Sequence, residues 1–285
     1  MAESSHEGLR RRVVRAAARV SAGLLALVGV YVVFVQLDVI RSPLDPIVRG
    51  DLELARSTDE GIRVLFVGNS FTYRNEMPAL VQQLAAADED AARIIAVEYV
   101  ASNWSLRAAS EDDGLARVVR EVRWDVVVLQ ERSYLPALAP EARAVEMDPF
   151  AYALRSQIER AGAETMLFMA WGYENGDDSA VPGDTFTAMQ ERVAYGYREL
   201  GRNLDARVAP VGLAWAEALR RAPGVDLWAD DGRHPSRRGS YLAACVFYAF
   251  LTEQSPVGNA FTGGLDRAEA AFLQRVAADV VLDYA

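Results

Sequence analysis

The stretch Ile62-Arg63-Val64-Leu65-Phe66-Val67-Gly68-Asn69-Ser70-Phe71-Thr72 decides the fold. Ile62 to Val67 is apolar apart from Arg63, too short for a typical helix and without the alternation of a half-buried strand. Such a run, closed by a glycine and a polar turn, reads as a strand buried on both faces. Runs of similar length follow at Ile94–Val100, Asp125–Leu129, Thr165–Ala170 and Val208–Val211. Helical stretches lie between them, such as Met77–Ala87, Leu115–Glu121, Phe150–Ala161 and Thr187–Leu204. Two more helices, about Arg237–Thr252 and Asp266–Leu282, close the chain. Strands alternating with amphipathic helices imply a parallel sheet covered on both faces. The expectation is one three-layer α/β domain over residues 62–285, with a central parallel sheet of about five strands.

Composition fits a domain of that kind. The 285 residues are 51% hydrophobic and 25% charged, enough apolar material for a core and unlike a disordered tail. Cys245, the single cysteine, excludes an intramolecular disulfide and a cysteine-cluster metal site, and it falls on an apolar helix as a packing residue. With only His6 and His234, a multi-histidine metal centre is out of reach; no metal or cofactor is expected. A net charge of −10 argues against a nucleic-acid partner. All 30 basic residues are arginine, which rules out Schiff-base and lysine-nucleophile chemistry.

Towards the N-terminus the pattern changes. Residues 38–61 contain Pro43 and Pro46, mixed charges and no clear period, and read as a linker. Before them, Val20–Leu37 (VSAGLLALVGVYVVFVQL) has Ser21 and Gln36 as its only clearly polar side chains. At about 1.5 Å per residue, a helix of that length just spans the hydrocarbon core of a bilayer. A buried globular helix and a cleaved signal peptide are the competing readings. The apolar run is long for a signal peptide, and no small-x-small cleavage site follows Leu37. An uncleaved transmembrane signal anchor is therefore expected. Arg10, Arg11, Arg12, Arg15 and Arg19 make residues 1–19 a basic cytoplasmic tail. That places a single-pass protein in the bacterial inner membrane with its domain extracytoplasmic, or a secreted one if the segment is cleaved.

In open α/β sheets, ligands bind at the carboxyl ends of the strands. Ser70 stands there, after the first strand and near the positive end of a helix dipole. Taken alone, a G-N-S turn more often supplies a helix cap than a nucleophile. His234 lies in Asp231-Gly232-Arg233-His234-Pro235-Ser236, a polar loop before a strongly apolar helix. Its spacing lets Asp231 turn back onto one imidazole nitrogen and leave the other as a base towards a serine. Asp230 is the rival carboxylate, and Ser236 reads as a cap for the following helix. Gln130 ends the third strand in Trp124-Asp125-Val126-Val127-Val128-Leu129-Gln130-Glu131-Arg132-Ser133. It is either an uncharged oxyanion donor or a loop glutamine. Glu131 either orients a neighbour, pairs with a loop arginine or lines the substrate cleft. Trp171, Tyr173 and Glu174 follow the fourth strand; the aromatics either line a substrate cleft or pack in the core.

These blocks together resemble the SGNH (GDSL-like) hydrolase superfamily, in particular a bacterial branch with a G-N-S-F/Y-T start. Gly68-Asn69-Ser70-Phe71-Thr72 with Asn75 and Pro78 matches the first block, and Trp124 to Glu131 a middle one. Asp231 to Ser236, continuing through Gly239 to Cys245, matches the last. The resemblance covers about Val64 to Gly258 and implies a flavodoxin-like sheet, with ester hydrolysis by a Ser/His/Asp set and no metal or cofactor. Carried over, Ser70 is the nucleophile, His234 the general base and Asp231 its partner. The Ser70 N–H and the Gln130 side chain are then oxyanion donors. Asn103, in Ser102-Asn103-Trp104-Ser105-Leu106, replaces a usual glycine whose N–H completes the hole; asparagine tolerates the left-handed conformation this needs. The expected function is a membrane-anchored serine esterase acting on O-acetyl esters of a small molecule or glycan. The alternatives are an O-acyltransferase using the same serine and a non-catalytic glycan-binding domain.

Overall fold

The structure, a computed structural model, describes residues 45–284. Its sheet has six strands: β1 (Ile47–Arg49), β2 (Ile62–Gly68), β3 (Ile94–Val100), β4 (Val126–Leu129), β5 (Glu164–Phe168) and β6 (Arg207–Ala209). They lie in the order β1-β3-β2-β4-β5-β6. β2 to β6 are mutually parallel, whereas β1 runs antiparallel to β3. The fold expectation is corrected here. The sheet is mixed and six-stranded, because residues 47–49, assigned from sequence to a linker, add an edge strand.

The expected transmembrane segment, Val20–Leu37, lies outside the described residues. Among those described, no helix is long and apolar enough to cross a membrane. Arg237–Thr252, apolar along most of its length, has 16 residues and is largely buried against its neighbours. The membrane-anchored reading, with its single-pass localisation and membrane partner, is therefore corrected to an α/β domain without a described spanning helix.

The helices follow from the same patterning. They are α1 (Leu52–Ser57), α2 (Ser70–Tyr73), α3 (Met77–Ala86), α4 (Leu106–Ser110), α5 (Asp113–Glu121), α6 (Pro140–Glu146) and α7 (Asp148–Arg160). After them come α8 (Phe186–Leu204), α9 (Val211–Arg221), α10 (Arg237–Thr252) and α11 (Arg267–Tyr284). One group packs together around α10, which touches α3, α9 and α11; in another, α4, α5 and α6 pack on α7. Every residue of β3 and β4 is buried, as expected for strands covered on both faces.

Register decides where the loops emerge. Val67 of β2 stands opposite Tyr99 of β3 and Leu129 of β4, so the three strands end level with one another. The segments starting at Gly68, Ala101 and Gln130 thus leave the same edge of the sheet. At the opposite edge, Arg63 is buried and clamped to Asp125: its backbone N–H, Nε and Nη2 donate to the carboxylate at 2.8, 3.0 and 3.1 Å. Burial opposes ionisation of Asp125, but the Arg63 bonds outweigh it and hold the carboxyl below its usual range. The clamp ties β2 to β4 at the end remote from the serine.

Candidate active site

Ser70 is the first residue of α2, immediately after β2. The capping role falls to its neighbour: Asn69 Oδ1 accepts from the Phe71 N–H at 3.1 Å, and Asn69 Nδ2 donates to the Trp104 carbonyl at 2.9 Å. The Ser70 hydroxyl is left facing outward. Its Oγ lies 2.8 Å from His234 Nε2. On the other side of the ring, His234 Nδ1 is 2.5 Å from Asp231 Oδ2. A proton on Nδ1 satisfies that contact and leaves Nε2 to accept from the serine.

The Asp231-to-Pro235 loop is built to hold this geometry. Asp231 Oδ1 accepts from the backbone N–H of Arg233 at 3.0 Å and of His234 at 2.9 Å. Gly232 supplies the positive φ of 65° that lets the chain double back. Burial opposes the ionised form of Asp231, but the bonds from the His234 side chain and the two backbone N–H groups hold its carboxyl well below the usual carboxylate range. Asp231, and not the exposed Asp230, meets the histidine. Ser236 caps α10, accepting from the Gly239 N–H at 3.2 Å.

Two supports were not legible as such. Asn75 has a left-handed φ of 53°, and its Nδ2 donates to the Pro235 and Ser236 carbonyls at 3.1 Å and to Ser240 Oγ at 2.9 Å. It fastens the end of the serine helix to the histidine loop. Trp171, read from sequence as a possible cleft residue, is instead fully buried between Phe71 and Trp215, with ring centroids 4.7 and 4.0 Å away. Its Nε1 donates to the Arg233 carbonyl at 3.0 Å. The lone signal for Asn75 was its place in the family-like block; nothing in the sequence marked Trp171 as a stack.

Asn103 has a φ of 54°, the left-handed conformation its position was expected to need. The N–H groups of Ser70 and Asn103 have no acceptor among the described residues, and both residues line the cleft. Gln130 does not join them. Its side chain is 1% exposed, with Oε1 accepting from the Asn69 N–H and Thr72 Oγ1, each at 3.0 Å, and Nε2 donating to the Glu131 carbonyl. Gln130 braces the serine turn from behind. Gly68 is required for that packing: a Cβ there would run into Thr72 Oγ1 and Gln130 Oε1. Gln130→Ala strands the buried Asn69 N–H and Thr72 hydroxyl. It should cost about 1–3 kcal/mol per stranded group, read by urea unfolding, with activity falling through the displaced turn.

Glu131 is also buried and does not line the cleft. Its carboxyl accepts from the Leu106 N–H at 3.2 Å and the Arg132 N–H at 2.6 Å, joining the β4 loop to the Asn103 loop. Burial pushes its pKa up to about 8, against the pull of those bonds and the Arg132 charge. The folded state therefore keeps a proton that the unfolded chain releases near pH 4.5, and stability falls as pH rises from there to about 8. Glu98, raised to about 7 chiefly by burial, adds a second decline. Glu131→Gln should flatten the loss between pH 5 and 8, most visibly above pH 7, in urea titrations at several pH values. An unchanged slope would assign the loss elsewhere.

The cleft in front of Ser70 and His234 has a volume of about 590 Å³ and is walled by Asn103, Arg132, Tyr173 and Arg233 among others. Tyr173 is its aromatic wall, with its hydroxyl 2.7 Å from Ser133 Oγ. Among the described residues no group of three His, Cys, Asp or Glu side chains is placed to hold a metal ion.

Against solved structures, a DUF4886 family protein from Bacteroides uniformis superposes with a TM-score of 0.66, at 18% identity over 78% of this chain and 95% of its own. A candidate SGNH hydrolase from Slackia heliotrinireducens gives 0.54, at 27% identity over 66% of this chain and 97% of its own. The fold is related to that of the SGNH and α/β-hydrolase esterases. LAE5, an α/β hydrolase from the metagenome of Lake Arreo, superposes with a TM-score of 0.50 at 16% identity over 67% of this chain and 95% of its own. No protein-family model and no curated protein matches the chain. Fold relationship and likeness to the Slackia protein together support hydrolase chemistry in general.

Proposed function

We propose that the chain is a serine hydrolase that cleaves carboxylic esters through an acyl-Ser70 intermediate, of the SGNH branch marked by the G-N-S-F-T and D-G-x-H-P-S blocks. The observation that carries this reading is the continuous chain Ser70 Oγ, His234 Nε2, His234 Nδ1, Asp231 Oδ2, with contacts of 2.8 and 2.5 Å. Ser70 Oγ attacks the ester carbonyl as His234 Nε2 takes its proton, and Asp231 stabilises the imidazolium. The tetrahedral oxyanion sits against the N–H groups of Ser70 and Asn103. His234 passes the proton to the departing alcohol, and water, activated by the same imidazole, releases the acid.

Backbone N–H groups suit that task because they are fixed and do not titrate. With Gln130 engaged behind the turn, the hole is a backbone device. A cleft of about 590 Å³ accepts an ester of small-molecule or single-sugar size. Passing the acyl group from Ser70 to an alcohol in place of water is the second reading. Fluorophosphonate labelling of the full chain, read by intact mass, tests the nucleophile without knowledge of the substrate. One adduct mapped to Ser70 is expected; a folded protein that takes no adduct would overturn the reading. Adding a sugar alcohol during ester turnover then separates the two outcomes by whether free acid or a new ester accumulates.

A further inference from the structure

The cleft carries two arginines that form no ion pair with a carboxylate among the described residues. Arg132 Nε donates to the Asn103 carbonyl at 2.9 Å, which fixes the guanidinium while its terminal nitrogens find no acceptor among the described residues. Arg233 lies over the Tyr173 ring, 4.7 Å from its centroid, and the Tyr173 hydroxyl is itself held by Ser133. Neither guanidinium has a carboxylate partner among the described residues. Elsewhere partly or fully buried arginines are paired, Arg63 with Asp125, Arg143 with Glu199 and Arg192 with Asp184, whereas Arg132 is partly buried without such a pair and Arg233 is exposed. Acidic side chains outnumber arginines 40 to 30, so partners were not scarce. Asp177 also lines the cleft; its carboxylate accepts from Ser179 Oγ at 2.5 Å and forms no ion pair with either arginine among the described residues.

We propose that Arg132 and Arg233 select esters that carry a carboxylate on the acyl or the alcohol part, so that the cleft takes anionic esters in preference to neutral ones. This rests on the serine-hydrolase reading and deepens it. A guanidinium offers a planar fork matched to a carboxylate, and both forks are held in place before substrate arrives, one by a hydrogen bond and one by stacking. Less rotamer freedom is then lost on binding than a free surface arginine would lose. Glu131, the acid nearest Arg132 in sequence, is buried and holds its proton up to about pH 8, so it leaves the Arg132 charge standing at neutral pH.

Two matched pairs of esters locate the charge. Monoethyl glutarate against ethyl pentanoate places it on the acyl side; O-acetyl glucuronate against O-acetyl glucose places it on the alcohol side. Acid release by the full chain is followed by pH-stat, and the readout is the anionic-to-neutral ratio of kcat/KM. In one pair the ratio should exceed about ten, as expected for hydrogen bonds to a charged group. It should fall at least about fivefold in Arg233→Gln, with Arg233→Lys intermediate. Ratios at or below one in both pairs, or a ratio unmoved by Arg233→Gln, overturn the proposal while leaving the esterase standing. If none of the four esters is turned over but Ser70 takes the fluorophosphonate, protection decides. Glutarate or glucuronate should slow labelling where glucose does not, and equal labelling overturns the proposal. Absence of both turnover and labelling removes the serine-hydrolase reading and this one with it.

Discussion

Ser70→Ala should lose the fluorophosphonate adduct completely and lower ester turnover by about 10⁴- to 10⁶-fold, the range seen when a triad member that acts as a unit is removed. His234→Ala should fall into the same range, because without an acceptor 2.8 Å from Oγ the hydroxyl is an ordinary alcohol. The double variant should be no slower than either single one, since the second loss removes nothing still working. Asp231→Asn should be milder, retaining the His234 loop through the amide oxygen while presenting the ring with the wrong partner. Intact-mass labelling together with single-turnover acid release checks all four. Activity of Ser70→Ala within tenfold of the parent would mean that another group attacks the ester.

The largest effect on stability should come from Trp171→Ala. That side chain is fully buried, stacked on both faces, and donates its N–H to the Arg233 carbonyl. Truncating a buried aromatic of this size costs about 3–5 kcal/mol through lost transfer free energy and the cavity left behind. Phe71 sits next to Ser70, and the Arg233 carbonyl is one residue from His234, so the cavity opens beneath both halves of the triad. Trp171→Phe keeps a ring in the stack and removes the donor alone, for about 1–3 kcal/mol from the stranded carbonyl. Urea unfolding of the two variants separates packing from hydrogen bonding. A loss below about 1 kcal/mol in Trp171→Ala would show that the stack relaxes freely and does not support the site.

Much of the parallel sheet was legible because its strands are unbroken apolar runs. The Ile94–Val100 limits coincide with β3, and the others differ by no more than two residues at either end. The fifth run was read too far: the strand stops at Ala209, where Pro210 cannot continue the ladder, and Val211 already begins α9. β1 left no trace because three residues ending in an arginine have no period, and pairing with β3 alone makes them a strand. At the site, Asp231 and His234 were legible because they are local to one loop. Asn103 was found through the family resemblance, at a position that is usually glycine, and its left-handed φ is one that asparagine tolerates. Gln130 and Glu131 were placed at the right edge of the sheet but not on the right side of it, and of the two readings of Trp171 the structure takes the core one. Sequence spacing brings a residue to the end of a strand; burial and hydrogen-bond partners decide whether its side chain turns towards solvent or back into the core.

β1 has a consequence for handling the protein. Among the described residues, its three residues form the one strand paired along the outer rim of β3, a seven-residue strand of Ile, Val, Ala and Tyr interrupted only by Glu98. A fragment begun at Asp51, an attractive place to cut from the sequence alone, would strip that cover and expose a row of unmatched amides flanked by β-branched side chains. Such a rim templates the addition of strands from other molecules. Fragments starting at Asp45 should remain monodisperse where those starting at Asp51 precipitate, and the difference would owe nothing to the triad.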